Sequence, residues 1–168
     1  VTATHLPQIV ASIGDLEFGD VDDDGDLDVT LADWGTGSPM ANVGGRTLLW
    51  LNDGEGRFSD ATDEQMPDVL VRFSWELEFV DVDNDYDLDI LVSCKQCVGS
   101  FLFENDGTGR FSDITEGSLP RFRNNYDFEA IDLNGDAFLD LITMNDGLDL
   151  RDHVLMNDQT GKYIDANS

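Results

Sequence analysis

The chain is poor in positive charge, in cysteine and histidine, and in long apolar runs. Nine Lys and Arg face 36 Asp and Glu in 168 residues, a formal net charge of −27. A surface that negative repels phosphate backbones and anionic headgroups, which argues against nucleic acid or anionic membranes as partners. No run of 18 apolar residues occurs, so no membrane insertion is expected. Cys94 and Cys97 are too few for a zinc site, which would need two more ligands. Nor do they open a helix, as a thioredoxin-type redox pair does. A small structural disulfide or two free thiols remain. The two histidines, His5 and His153, do not align between repeats, and a surface role is expected for both. No serine-nucleophile motif, phosphate loop or dinucleotide fingerprint is present. Carboxylate pairs suited to glycoside hydrolysis can always be picked from 36 acids, so their presence carries no information. The chain starts at Val1 with no signal-like stretch, as a mature or trimmed chain would.

What the chain has in excess is ordered acidity. Residues 20–29 read DVDDDGDLDV, 81–90 read DVDNDYDLDI and 132–141 read DLNGDAFLDL. Aligned, they give D-x-[D/N]-x-D-x-x-x-D followed by an apolar residue. Positions 1, 3, 5 and 9 are Asp20, Asp22, Asp24 and Asp28; Asp81, Asp83, Asp85 and Asp89; Asp132, Asn134, Asp136 and Asp140. Oxygen donors at alternate positions of a short loop suit a hard cation of flexible coordination. Calcium takes six to eight oxygens, whereas magnesium keeps more of its waters and zinc prefers nitrogen or sulfur. Position 7 holds Asp26, Asp87 and Phe138, three different side chains that fit a ligand acting through its backbone oxygen. Up to three Ca²⁺ are therefore expected. The EF-hand fits poorly: Leu31, Val92 and Thr143 stand where its bidentate Glu would be, and the apolar flanks LDVTL, LDILV and LDLIT read as strands. The expected ligands are under a third of the acidic residues, so metal accounts for only part of the acidity.

A second motif follows each loop: LLWLNDGEGRFSDAT at 48–62, FLFENDGTGRFSDIT at 101–115 and HVLMNDQTGKYIDAN at 153–167. Asn-Asp-Gly between alternating apolar residues signals a hairpin, with Gly56, Gly109 and Gly161 supplying a bulge of positive φ. Gln159 replaces the first Gly in the third copy. Four short strands per unit are expected, typified by LEFGD, LDVTLA, TLLWLN and GRFSDA. Four antiparallel strands repeating at about fifty residues suggest β-propeller blades. The expected fold is all-β: a single repeat domain over 1–168, in repeats of about 2–59, 60–112 and 113–164. The first repeat is longer because of a Gly-rich insertion at 32–46. Both ends fall at the same phase of the repeat, so the chain reads as part of a six- or seven-bladed propeller or as half of a dimeric one.

The acidic loop and NDGxGxFxDxT, recurring together three times, resemble the FG-GAP/VCBS-type repeats of integrin α-subunit propellers and of many secreted bacterial proteins. The resemblance spans nearly the whole chain. It implies Ca²⁺ in each loop, an extracellular or cell-surface location and binding rather than catalysis. Only loop one keeps Gly at position 6 (Gly25); Tyr86 and Ala137 stand there in loops two and three, and both sites are expected to be weaker.

Three further features have open readings. Asp15, Glu76 and Asp127, with Glu17, Glu78 and Glu129, lie on one face of the first strand of each unit. They form either an acidic ring lining a channel or a wall that is solvated or hydrogen-bonded to neighbouring backbone. Trp34, in the insertion, stacks on a sugar or protein ligand or plugs the interior; Trp50 and Trp75 read as packing. For function, the primary expectation is a non-enzymatic adhesion or recognition module with a protein or carbohydrate ligand, associated with other blades of the same chain or with a second copy. The alternatives are an accessory domain of a secreted enzyme and a structural subunit of a surface filament or matrix.

Overall fold

The computed structural model describes residues 5–37, 41–97, 99–147 and 151–167. Three four-stranded antiparallel sheets follow one another along the chain. The first contains β1 (Ile13–Gly19), β2 (Asp28–Asp33), β3 (Thr47–Asn52) and β4 (Phe58–Asp60). A short helix, α1 (Thr62–Gln65), leads to the second: β5 (Leu77–Val80), β6 (Asp89–Val92), β7 (Phe101–Asn105) and β8 (Phe111–Asp113). Helix α2 (Thr115–Ser118) leads to the third: β9 (Asn125–Ile131), β10 (Asp140–Asn145), β11 (Val154–Asn157) and β12 (Tyr163–Asp165). Within each sheet the strands pair in sequence order, so every connection joins neighbours.

The sheets stack face to face, which explains why the middle strands of the second sheet are apolar on both sides. In β6, Ile90 and Val92 pack towards the first sheet and Leu91 towards the third. One cluster joins sheets one and two around Leu49, Leu77, Ile90 and Phe103. A second joins sheets two and three around Val80, Leu91, Leu102, Leu141 and Leu155. The first strands β1, β5 and β9 lie side by side. An antiparallel strand with both faces covered needs this continuous apolarity, unlike one with a wet face.

The two connections differ in detail: α1 is a single helical turn, whereas in α2 Glu116 (ψ 111°) and Gly117 (φ 95°) leave helical geometry. They are set by the repeated Asp-x-Thr at the end of the fourth strand. The Asp60 carboxylate accepts the Thr62 N–H, and the Thr62 hydroxyl accepts the Leu49 N–H. Asp113, Thr115 and Leu102 repeat the arrangement. The insertion turns back onto the chain, where Gly45 bridges to Val71. Residues 38–40 of the insertion lie outside the described residues.

The expected Asn-Asp-Gly hairpins are present in the first two sheets, and the Asn-Asp-Gln of the third closes a hairpin as well. The N–H of Asp53, Asp106 and Asp158 donates to the carbonyl of Arg57, Arg110 and Lys162. Gln159 takes φ 69°, beside 73° at Gly54 and 78° at Gly107, so the third turn keeps the same shape without glycine.

Candidate metal centres

Each acidic loop connects the first two strands of its sheet, and its backbone is wound around its own carboxylates. Asp20 accepts the N–H of Asp24 (3.1 Å) and of Gly25 (3.0 Å). Asp81 accepts that of Tyr86 and Asp132 that of Ala137. The position 7 residues Asp26, Asp87 and Phe138 each donate their N–H to the position 5 carboxylate, at 2.9–3.0 Å. Three different side chains thus share one main-chain geometry.

The loops need two left-handed residues, where the sequence pointed to one. Position 6 has φ 92° at Gly25, 77° at Tyr86 and 74° at Ala137. Position 4 has φ 60° at Asp23, 64° at Asn84 and 80° at Gly135. The glycine missing from position 6 of loop three therefore stands at position 4. Loop two has glycine at neither, and Tyr86 carries the strain.

Position 9 proves to be a structural staple as well as an expected ligand. Asp28, Asp89 and Asp140 are buried. One oxygen of each accepts the N–H at position 2 of its loop (Val21, Val82, Leu133), and the other accepts the N–H of Asn52, Asn105 or Asn157 at 2.8 Å. The acidic loop is thereby pinned to the hairpin that follows.

Three carboxylates converge in each of two loops. Oxygens of Asp20, Asp22 and Asp24 lie within 4.8 Å of one another, as do those of Asp81, Asp83 and Asp89. Among the described residues the third loop gathers no such set. There Asn134 replaces an aspartate, and the amides of Asn134 and Gln159 donate to Asp136 at 3.1 and 3.0 Å. Asp85, Asp28 and Asp140 stand outside the compact clusters.

The electrostatics separate the loops in the same way. Burial, followed by the charge of Asp24, raises the pKa of Asp22. Burial, followed by Asp85, raises that of Asp83. Asp89 is pushed up to about 7 by burial, against the two N–H groups it accepts. Asp136 moves the other way, lowered by the Phe138 N–H and then by Gln159. In loops one and two the carboxylate oxygens Asp22 Oδ1, Asp81 Oδ1 and Asp83 Oδ1 are buried with no hydrogen-bond partner. An orphaned, buried, negatively charged oxygen costs several kcal/mol unless a cation meets it. The donor set is oxygen only, so these two clusters fit a hard divalent cation.

The remaining candidates resolve as architecture. Strand-one carboxylates accept backbone N–H groups of the next sheet: Asp15 from Leu77 (3.2 Å) and Glu78 from Ala130 (3.4 Å). This is the backbone-bonded reading of the acidic face. Burial and then Asp127 push Glu76 up to about 9, and burial pushes Glu78 up to about 7. Trp34 packs against Trp75 (ring centroids 4.2 Å apart) and Phe73, so the plug reading holds. It sits over Gly14, where any Cβ would strike the indole. Gly14 thus leaves room at the position that Trp75 and Tyr126 occupy in the next two sheets, and Trp34 fills it. Cys94 and Cys97 form a disulfide. His5 tacks the N-terminal segment to the Gly56 carbonyl. His153 is partly buried rather than free on the surface; it pairs with Asp165 at 2.7 Å and stacks on Phe122.

Sequence reasoning missed the asparagine that opens each hairpin. Asn105 donates to the Val21 carbonyl of the preceding sheet at 2.8 Å, and Asn157 to that of Val82 at 2.7 Å. The repeated Asn was visible, but was read only as a turn former.

These features coincide with a known family. The FG-GAP-like repeat matches residues 20–92 and 98–143, and the chain belongs to that family. A search of curated proteins finds no match. Among the described residues no helix is long and apolar enough to cross a membrane.

Proposed function

We propose that the chain is a calcium-binding, non-enzymatic β-propeller segment that works outside the cell in adhesion or recognition. The observation that carries the calcium reading is the pair of three-carboxylate clusters with orphaned, buried oxygens. Asp20, Asp22 and Asp24 would hold one ion, and Asp81, Asp83 and Asp89 the other, with Asp85 and the position 7 carbonyls completing the shells. Loop three, through Asp132, Asn134, Asp136 and Asp140, is the weakest of the three sites. A bound ion neutralises the carboxylates and fixes the loop between the first two strands, so its role is to stiffen the sheet. The family membership and the adjacent first strands support the propeller. The Cys94–Cys97 disulfide supports an oxidising compartment. The ligand is a protein or carbohydrate.

Calorimetric titration of the chelator-treated chain with Ca²⁺ tests the metal reading. Affinities of roughly 10⁻⁴–10⁻³ M are expected, as in other extracellular modules, with Mg²⁺ weaker. At tenfold excess over Kd each site stabilises the fold by about 1.4 kcal/mol. No binding heat together with an unchanged thermal midpoint would refute it. Glycan and protein arrays probed with and without Ca²⁺ test the recognition role; silence on both would leave the structural-subunit alternative standing.

A further inference from the structure

Sheets one and two each bring the start of their third strand against the segment that leads to the next sheet. One repeated bond sets the correspondence: the Leu49 N–H donates to the Thr62 hydroxyl, and the Leu102 N–H to the Thr115 hydroxyl. Counted from those bonds, Gly99 stands where sheet one has Arg46, and Glu116 where it has Asp63. Leu119 and Pro120 stand for Met66 and Pro67, and Arg121 for Asp68. In sheet one the place is filled. The Arg46 guanidinium donates to the carbonyls of Thr62 (2.9 Å) and Met66 (3.0 Å). It pairs with Asp63 at 2.6 Å and lies 3.8 Å from Asp68.

In sheet two the same place is open. Gly99 brings no side chain, and a cavity of about 160 Å³ remains, walled by Phe101, Leu119 and Pro120. Its walls belong to sheet two and to the segment between sheets two and three. Two donors line it. Arg121 is exposed and, among the described residues, enters no ion pair. Glu116 does not neutralise it, standing in a turn that has left helical geometry (ψ 111°). The Ser100 hydroxyl is the second donor. Ser100 is 1% exposed, and its oxygen accepts the Cys94 N–H at 3.3 Å, while its own proton goes to no described residue. One member of the sheet-one pair is thus missing, and the other has changed sign.

We propose that this cavity receives an acidic side chain, Asp or Glu, from a partner protein, and that the contact restores the ion pair of sheet one with its polarity reversed. Arg121 selects the sign. An incoming guanidinium or ammonium would meet a like charge where Arg46 meets Asp68. A carboxylate meets the Arg121 guanidinium and the Ser100 hydroxyl proton together, and charge-assisted bonds of that kind are the strong ones. Size selects the source. Cavities that hold whole small molecules run to roughly 300–1,000 Å³, whereas this one matches the single side chain that fills its counterpart. The surrounding charge is favourable in spite of the net −27. Of the nine Lys and Arg, Arg57, Arg110 and Lys162 stand in the hairpins beside the acidic loops, which leaves six at the cavity's end of the sheets. The site rests on the recognition reading given above and names the chemistry of the partner.

Selection of a displayed random-peptide library on the 168-residue chain in Ca²⁺ tests the site. Expected are peptides that share one Asp or Glu, whose replacement by Asn or Gln weakens binding about tenfold. Added salt should weaken it too. Arg121→Gln, at an exposed position, should lose the same peptides. Gly99→Arg combined with Arg121→Asp rebuilds the sheet-one pair inside sheet two. A Cβ at Gly99 would meet only the Arg121 stem, at 3.6–3.8 Å, an ordinary contact. The double variant should keep its sheet content by circular dichroism, melt no lower than the parent chain and bind none of the peptides. Should it fail to fold, Arg121→Gln decides alone. Peptides anchored by Lys or Arg would show that the carbonyls of Thr115 and Leu119 set the polarity, and would overturn the proposal. Glucuronate-bearing glycans that bind the parent chain but not Arg121→Gln would put the carboxylate on a carbohydrate and overturn the protein partner. Peptides that bind Arg121→Gln unchanged sit elsewhere; they keep the recognition role and overturn this site. An empty selection from the folded chain overturns the site, while the glycan and protein arrays still judge recognition.

Discussion

Replacing Tyr86 by glycine should stabilise this protein. Tyr86 has φ 77° in the second acidic loop and is 89% exposed, so removing its ring sacrifices almost no packing. Its N–H, which donates to Asp81 at 3.1 Å, belongs to the backbone and stays. A non-glycine residue in the left-handed region costs roughly 1–2 kcal/mol. Glycine gives part of that back through the greater freedom of the unfolded chain. A net gain of about 1 kcal/mol remains, which for a chain of this size raises Tm by about 2–4 °C. Gly25→Ala is the mirror experiment. Gly25 has φ 92°, and a Cβ there would meet nothing within 4 Å, so the substitution isolates backbone strain and should cost about as much as Tyr86→Gly gains. Thermal melts followed by circular dichroism, in Ca²⁺ and in chelator, read both. The shifts should be opposite in sign under both conditions, because the turn is left-handed whether or not an ion is bound. A lower midpoint for Tyr86→Gly, or an unchanged one for Gly25→Ala, would show that strain at position 6 is not what distinguishes the loops.

Other outcomes follow from the same contacts. Chelation should lower the midpoint, and Asp24→Ala should abolish more of the calcium-dependent stability than Asp136→Ala, whose loop already has amides on its carboxylate; the reverse order in calorimetry would refute the ranking. Glu76 and Glu78 keep their protons in the fold up to about 9 and about 7, against 4.5 for the ordinary group. The folded chain therefore binds more protons in that window. Their contribution is complete below the ordinary value and is lost as pH rises through the folded values. In chelator the midpoint should fall between about pH 5 and 9, and Glu76→Gln should flatten that fall; an unchanged slope would remove Glu76 as its cause. Replacing Cys94 and Cys97 by alanine together should cost about 2 kcal/mol for so short a loop, read as a lower midpoint that reductant no longer moves.

What could be read from sequence was whatever acts within one period. The acidic loops, the Asn-Asp-Gly hairpins and the four strands per unit each use residues a few positions apart, and repetition in triplicate separates them from chance. Contacts that cross a period stayed hidden. Asn105 gives the signature of a turn former whether or not its amide also reaches Val21, 84 residues away. Trp34 and Gly14 become intelligible only together, as a side chain moved into a place left empty. Helices α1 and α2 are four residues each, too short for any periodicity to register. The second left-handed position was masked because Asp23, Asn84 and Gly135 tolerate that conformation for different reasons, and so show no common residue.

The asparagine latches all point backwards along the chain, from a later unit to the one before it. Each period of about fifty residues therefore carries one complete donor set and one complete acceptor set, on opposite faces. Copying a whole period in frame adds a unit that satisfies its predecessor and offers its successor what it needs. Deleting one heals in the same way. An insertion or loss of half a period strands a latch on one side and a carbonyl on the other. A gene built this way can change its number of units by unequal recombination and keep the latch at each junction, provided the breakpoints fall at equivalent residues.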